Sequence, residues 1–289
     1  MNFAAAVRLQ VTPLGDALGA DVHGLDLNHP LSAEDVAALR AAWAQYLVLR
    51  FRGQQRLTLQ QQIAFSRHFG NLDLRPTASM EMSKQHDVLP AEITVISNVK
   101  VGGKPLGALG DAEAVWHADM TYNPHPPRGA CLFASEVPPT GGNTHFSNLY
   151  AAYEMLDAGM KERIASLSCV HDASRNSAGE LRLGFKDNTD PRETVGAVHP
   201  LVCTHALTGR KHLMLGRRRN AYVPGLPVAE SESLLDALWH HATQARFTWA
   251  QVWQAGDLVM WDNAATLHRR VCGSNASRRL MYRTQIASA

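Results

Sequence analysis

The sequence predicts a β-rich fold with helices packed around it, and three observations carry that prediction. Short strand-like runs recur from end to end: the alternation of Val7, Leu9 and Val11 with Arg8, Gln10 and Thr12, and the apolar runs at 47–51, 94–99, 130–134 and 258–261. Glycine- and proline-rich turns separate them, drawing on 21 Gly and 14 Pro. Candidate metal ligands stand near residue 117 and again near residue 268, so one core has to bring distant strands together. That combination suits a closed or double-sheet β architecture.

Each element has a local reason. Glycines 15, 19 and 24 punctuate a hairpin-like entry after the first strand. Ser32, with Asp35 three residues on, makes a capping-box-like start, and Val36, Leu39, Trp43 and Tyr46 follow at helical spacing. Thr58 and Gln61 repeat the signature for a second helix over 59–69, closed at Gly70. Residues 71–90 have no clear period, and 102–113 is a glycine-rich loop leading into the stretch that carries His117. Pro138 to Gly142 is a tight reversal before a strand beginning at Thr144. Helical stretches are expected at 149–156, 160–167 and 230–243, and a hairpin from 200–204 and 211–215. The long polar stretch 174–198 reads as a functional lid. The basic run Arg217-Arg218-Arg219 is either a solvated face or part of an entrance for an anion. No internal repeat and no domain boundary is visible, so residues 1–289 form a single domain.

Composition narrows the function. A net charge of +2 with mixed signs and 45% hydrophobic residues gives no reason to expect nucleic acid or a membrane surface as partner. No apolar run approaches the roughly 20 residues of a membrane span. Met1 to Arg8 lacks the regions of a signal peptide, which places the protein in the cytoplasm. The four cysteines are scattered without a C-x-x-C pair, so they read as reduced thiols.

The chemistry concentrates in Val115-Trp116-His117-Ala118-Asp119-Met120-Thr121-Tyr122. On an extended strand, residues i and i+2 share a face, so His117 and Asp119 can hold neighbouring positions on one metal ion. A second histidine from far along the chain would complete a 2-His-1-carboxylate set with three open positions. That histidine is His268, which follows the strand-like 258–261 run and the pair Asp262-Asn263. Eleven residues further on comes Arg279, a residue suited to gripping a fixed carboxylate with a fork of N–H donors.

These residues resemble the TauD/TfdA family of Fe(II)- and 2-oxoglutarate-dependent dioxygenases. The resemblance rests on W-H-x-D at 116–119, Gly141-Gly142-Asn143-Thr144, G-D-x-x-x-W-D-N at 256–263, His268, and the R-x-x-x-R pair Arg279 and Arg283. It also takes in the early stretches 18–27 and 64–70, and runs from about residue 7 to 287. It implies a double-stranded β-helix, a jelly-roll core with peripheral helices. It further implies Fe(II) on His117, Asp119 and His268, with 2-oxoglutarate and O2 as co-substrates and succinate and CO2 as products. Arg279 and Thr144 would hold the distal carboxylate of 2-oxoglutarate. Arg283 would face the anionic group of the main substrate, with Arg75, Asn98 and Met120 also in the substrate pocket.

The segment Leu72-Asp73-Leu74-Arg75-Pro76 departs from the taurine-oxidising pattern, since Arg75 stands where a sulfonate-binding histidine would align. The wording at 258–263 and 267–269 is closer to the aryloxyalkanoate-oxidising branch. The expectation is therefore a small organic anion, an aryloxyalkanoate or similar carboxylic acid, hydroxylated by a homo-oligomeric enzyme. A taurine or alkylsulfonate dioxygenase is the alternative within the family. A zinc metallohydrolase using the same three ligands, or a non-catalytic metal-binding jelly roll, is the alternative outside it. Neither has a need for Arg279.

Overall fold

The computed structural model describes residues 9–75, 89–109, 114–216, 219–271 and 277–288. The first eight residues, the Arg217-Arg218 part of the basic run, Cys272, and parts of the 71–90 and 102–113 loops lie outside the described residues.

Strand formation follows the sequence pattern closely. The N-terminal half supplies β1 (Gln10–Pro13), β2 (Ala20–His23), β3 (Val48–Phe51), β4 (Thr94–Ser97), β5 (Lys100–Val101), β6 (Lys104–Pro105), β7 (Ala108–Leu109), β8 (Ala114–His117) and β9 (Gly129–Glu136). Beyond these come β10 (Thr144–Asn148), β11 (Ser168–Val170), β12 (Val198–Pro200), β13 (Val202–Thr204) and β14 (Lys211–Leu213). The C-terminal segment adds β15 (Thr248–Gln251), β16 (Leu258–Asp262), β17 (Thr266–Arg270) and β18 (Leu280–Ile286). Eight strands form one sheet in the order β1-β2-β3-β16-β9-β18-β4-β7, and four form another in the order β15-β10-β17-β8. Within these sheets the strand pairs of the described residues are antiparallel except β2 with β3 and β4 with β7.

The two sheets are held face to face by one apolar cluster. Val259 and Trp261 of β16 and Leu132 of β9 meet Phe146 of β10, with the Phe146 and Trp261 rings 5.7 Å apart. Successive residues of β16 point to opposite faces, as the strand period requires. Leu258 and Met260 therefore enter a second cluster with Trp43, Phe65 and Phe69, under α1 (Ala33–Tyr46) and α2 (Leu59–Arg67). A third cluster joins Leu267 of β17 to Leu234, Leu235 and Leu238 of the helix Val228–Ala242. The molecule is thus a β-rich, mixed α/β fold: helices, large sheet, small sheet, helices.

Both predicted capping boxes are present. The Ser32 hydroxyl accepts from the Asp35 N–H, the Thr58 hydroxyl accepts from the Gln61 N–H, and each N3 side chain reaches back to its cap. Each cap contributes about 1 kcal/mol to its helix. Several boundaries differ from the sequence reading by a few residues, and one has a backbone cause. Leu47 takes φ 65° and ends α1, so the following strand begins at Val48.

The stretch 174–198 is less regular than its neighbours. A bridge between Arg175 and Leu181 and a 3-10 turn at Pro191–Glu193 organise it, together with an Arg175–Asp187 ion pair. It packs against the metal-site strand through Val115 N–H to Ser177 O (3.0 Å), and against the turn region after it through Ala197 N–H to Tyr122 O (2.9 Å). The guanidinium of Arg182 lies 4.0 Å from the Tyr122 ring centre.

Candidate metal centre

The small sheet brings the two histidines together. β17 pairs with β8 so that His268 lies directly across from His117, and their ring centres are 4.2 Å apart. A pair facing each other across antiparallel strands has its side chains on one face, which here is the face toward the large sheet. His268 also lies 5.1 Å from the Trp261 ring and 6.0 Å from the Phe146 ring.

Asp119 reaches the same point by a different route from the one its spacing predicts. β8 ends at His117, so Asp119 is not on an extended strand but in the turn that follows. Met120 takes φ 51°, which bends the chain away immediately afterwards. Asn263 fixes the turn: its Oδ1 accepts from the Asp119 N–H (2.7 Å), and its Nδ2 donates to the carbonyls of Asp119 and Pro127 (2.9 Å each). Asp262 holds the next turn, its Oδ1 accepting from the N–H groups of Ala264 and Ala265 (3.0 Å each). The W-D-N wording is therefore a pair of turn braces, one for Asp119 and one for the approach to His268.

All three ligand atoms lie within 4.8 Å of one another, and all three residues are buried. Asp119 Oδ1 is 3.6 Å from His117 Nε2 and 3.9 Å from His268 Nε2. Protonation states favour a cation. His117 Nδ1 lies 2.7 Å from the Val115 carbonyl, to which it donates, leaving Nε2 as the ring nitrogen that faces Asp119. Burial, reinforced by His117 and Arg283, pushes His268 down to about 3, leaving a neutral imidazole. Burial alone would raise Asp119, but the charge of Arg283 and the bond to His117 hold its carboxyl well below the usual range. Two imidazoles and one carboxylate on one face are the donor set of a facial triad.

A second group of residues gathers nearby. Thr144 opens β10 opposite Arg270 of β17, and its hydroxyl accepts from the Trp253 indole N–H at 3.0 Å. With that lone pair occupied, the Thr144 proton is left to donate. Gly141 and Gly142 adopt φ 77° and 68°; a Cβ at Gly142 would lie 3.9 Å from Arg279 Cδ and Nε, so the Gly-Gly turn passes alongside the arginine stem. Arg279 is buried, and its Nε and Nη1 have no hydrogen-bond partner among the described residues. Burial, then the charge of Arg270, pushes its guanidinium down to about 9, still protonated at neutral pH. A buried cation with open donors beside a hydroxyl donor is complementary to a carboxylate.

The family model for the taurine catabolism dioxygenase TauD, TfdA family matches residues 10–285. The chain belongs to the TauD/TfdA family. It is 36% identical to the (S)-phenoxypropionate/alpha-ketoglutarate-dioxygenase of Delftia acidovorans, covering 96% of this chain and 95% of that one. It is likewise 36% identical to the alpha-ketoglutarate-dependent 2,4-dichlorophenoxyacetate dioxygenase of Cupriavidus pinatubonensis, covering 96% and 97%. Among solved structures it resembles AAD-2 in complex with Mn(II) and N-oxalylglycine, with a TM-score of 0.79, 32% identity and 98% of each chain covered. It is an Fe(II)- and 2-oxoglutarate-dependent dioxygenase, an oxidoreductase of the TauD/TfdA family.

The residues present fit that family's cofactors. The converging triad suits Fe(II), and the open donors of Arg279 suit a carboxylate. The residues expected in the substrate pocket have these partners. Arg283 donates from Nη1 to Asp119 Oδ2 at 3.0 Å and so touches a metal ligand, which its spacing did not foretell. Asn98 holds the backbone of the Arg279 segment: its Oδ1 accepts from the Arg279 N–H (2.8 Å) and its Nδ2 donates to Ser277 O (2.9 Å). Arg75 donates to the Leu89 carbonyl at 3.3 Å. Met120 is half-buried in the turn itself. Trp253, Arg270 and Asn263 were not singled out in the sequence as site residues. Asn263 stood in the W-D-N motif and Arg270 two residues past His268 on one strand, whereas Trp253 had no such signal.

No helix among the described residues is long and apolar enough to cross a membrane.

Proposed function

We propose that this chain hydroxylates a small organic anion, an aryloxyalkanoate or similar carboxylic acid, with conversion of 2-oxoglutarate to succinate and CO2. The observation that carries this reading is a buried two-histidine, one-carboxylate set with an arginine, Arg283, at its edge. Substantial identity to relatives named for phenoxypropionate and 2,4-dichlorophenoxyacetate supports the substrate class. When bound, Fe(II) with 2-oxoglutarate and O2 supplies the oxidising power.

In this reading the protein's share is placement. His117, Asp119 and His268 hold the metal. Arg279 and the Thr144 hydroxyl grip the distal carboxylate of 2-oxoglutarate, a buried charge-assisted arrangement that contributes a few kcal/mol. Arg283 places the anionic group of the main substrate, and Met120 lies at the same turn. Arg75 and Asn98 belong to this reading by resemblance; Arg75 bonds to the Leu89 carbonyl, and Asn98 to Ser277 and the Arg279 backbone. The 174–198 segment, bonded to Val115 and Tyr122, shields the site from water as a lid. The two facing sheets are the halves of a double-stranded β-helix, and residues 1–289 are one catalytic domain. A cytoplasmic homo-oligomer without nucleic-acid or membrane partners belongs to the same reading.

The test is succinate formation from 2-oxoglutarate with Fe(II) and O2, measured across aryloxyalkanoates, alkylsulfonates and uncharged analogues. Stimulation by aryloxyalkanoates above the other two supports the substrate class. A better response to sulfonates, or equal response to uncharged analogues, rejects it. Alanine at His117, Asp119 or His268 abolishes turnover in this reading; near wild-type activity with any one of them rejects the triad.

A further inference from the structure

The geometry points to a positioning task for Arg283: it holds Asp119 Oδ2 away from the metal, so that only Oδ1 coordinates and three positions stay open. The inference rests on the reading of His117, Asp119 and His268 as metal ligands.

A carboxylate offers two oxygens of equal chemistry, and a divalent cation takes one or both, depending on what else occupies them. In this site the two oxygens already face different partners. Oδ1 is turned to the histidines, 3.6 Å from His117 Nε2 and 3.9 Å from His268 Nε2. Oδ2 is turned to Arg283, 3.0 Å from Nη1. The difference matters because three protein donors leave three positions on a six-coordinate metal and a bidentate carboxylate would leave two. A chelating keto acid needs two neighbouring positions, and O2 needs one more. Losing one to Oδ2 would leave the site unable to hold both.

Arg283 is built to keep that post. It rises from β18, a strand hydrogen-bonded on both sides, where it pairs with Thr94 of β4 and Leu132 of β9. Its side chain is 17% exposed, and its Nε has no hydrogen-bond partner among the described residues. Asp119 is fixed from the other end by Asn263, which holds the backbone N–H and carbonyl of the same residue. With both backbone and side chain held, the carboxylate has little freedom to swing Oδ2 toward the metal. A guanidinium carries five N–H donors. One serving Asp119 leaves others for an anion, so this task coexists with substrate placement.

The test is Mn(II) binding to the full-length protein in the absence of 2-oxoglutarate, followed by loss of the free-ion paramagnetic resonance signal. Arg283→Ala and Arg283→Gln remove both the restraint on Oδ2 and a positive charge next to the metal. Each variant should bind Mn(II) alone about tenfold more tightly than the wild type. With Mn(II) saturating, each should bind 2-oxoglutarate about tenfold more weakly, because a chelate position is taken. Arg283→Lys, which keeps a charge and a donor, should fall between. Circular dichroism and thermal melts establish that the variants are folded. Unchanged or weaker Mn(II) binding in folded Ala and Gln variants overturns the inference while leaving the triad intact. No Mn(II) binding by the wild type removes the triad reading and this inference with it.

Discussion

Asn263 holds Asp119 by the aspartate's own N–H and carbonyl, through bonds of 2.7 and 2.9 Å that span 144 positions of sequence. The end of the strand before His268 thereby fixes the turn after His117. One side chain ties together the two halves of the metal site. Asn263→Ala should weaken metal binding by about 10- to 100-fold, as losses of ligand-orienting partners commonly do. The substitution also leaves the Asp119 N–H and the Asp119 and Pro127 carbonyls without these partners, for a stability loss of about 2–4 kcal/mol. Metal titration and urea denaturation measure the two effects separately. Wild-type metal affinity in a folded Asn263→Ala protein would show that the turn holds its shape without the clamp.

The Trp253–Thr144 bond leads to a prediction about the co-substrate. The indole N–H occupies an acceptor site on the Thr144 hydroxyl at 3.0 Å, which directs the hydroxyl proton elsewhere. Trp253→Phe keeps most of the buried ring but frees the hydroxyl to rotate. The KM for 2-oxoglutarate should rise about 3- to 10-fold, in line with a net hydrogen-bond contribution of about 1 kcal/mol, while kcat stays within about twofold. Thr144→Val should raise KM similarly, and the double variant should be no worse than Thr144→Val alone. Additive effects in the double variant would mean that the two residues act independently.

Arg279 carries the larger consequence. Its Nε and Nη1 have no partner among the described residues, although the side chain is buried. Arg279→Ala should raise the 2-oxoglutarate requirement by about 100-fold or more, since breaking a buried charged pair costs about 3–5 kcal/mol. Arg279→Lys should recover only part of this, because an ammonium cannot offer a planar fork. Without its anion, the wild-type pocket holds a desolvated cation, so 2-oxoglutarate should also raise the melting temperature of wild type and not of Arg279→Ala. Saturation curves unchanged by both replacements would place the carboxylate elsewhere.

The sequence carried what depends on local pattern. Ser32 with Asp35, and Thr58 with Gln61, marked both helix starts, because a capping box is a three-residue device. The apolar run 258–261 was readable as a strand; that Leu258 and Met260 face one layer while Val259 and Trp261 face the other comes from the structure. His117, Asp119 and His268 were singled out by motif, and the structure brings their ligand atoms within 4.8 Å of one another. What the pattern missed depends on the path of the backbone. The i, i+2 argument assumed an extended Asp119, whereas the strand stops at His117 and a left-handed Met120 turns the chain. The bonds from Asn263 to Asp119 and from Trp253 to Thr144 join residues more than 100 positions apart, and no local spacing encodes them. Arg283 was read from its four-residue spacing to Arg279, but its partner is set by how β18 lies over the 117–120 turn.

The last prediction concerns acid stability. His212 of β14 is buried, with its Nδ1 2.9 Å from the Leu213 carbonyl and its ring 6.2 Å from His205. Burial lowers its proton affinity below the ordinary histidine value, outweighing the opposing effects of the Leu213 carbonyl and the Asp262 carboxylate. A histidine whose folded value is depressed binds fewer protons folded than unfolded. Its contribution to stability is therefore fully present above the unfolded value of about 6.5 and is lost as pH falls through that value. As pH falls from 7 toward 5, the unfolded chain takes up this proton before the folded one, so stability should decline with pH. His212→Gln cannot take up a proton and should flatten the curve over this window, even if it lowers stability at pH 7. Urea melts of both proteins at half-unit pH steps supply the comparison. Parallel curves for wild type and His212→Gln would assign the acid sensitivity to other groups.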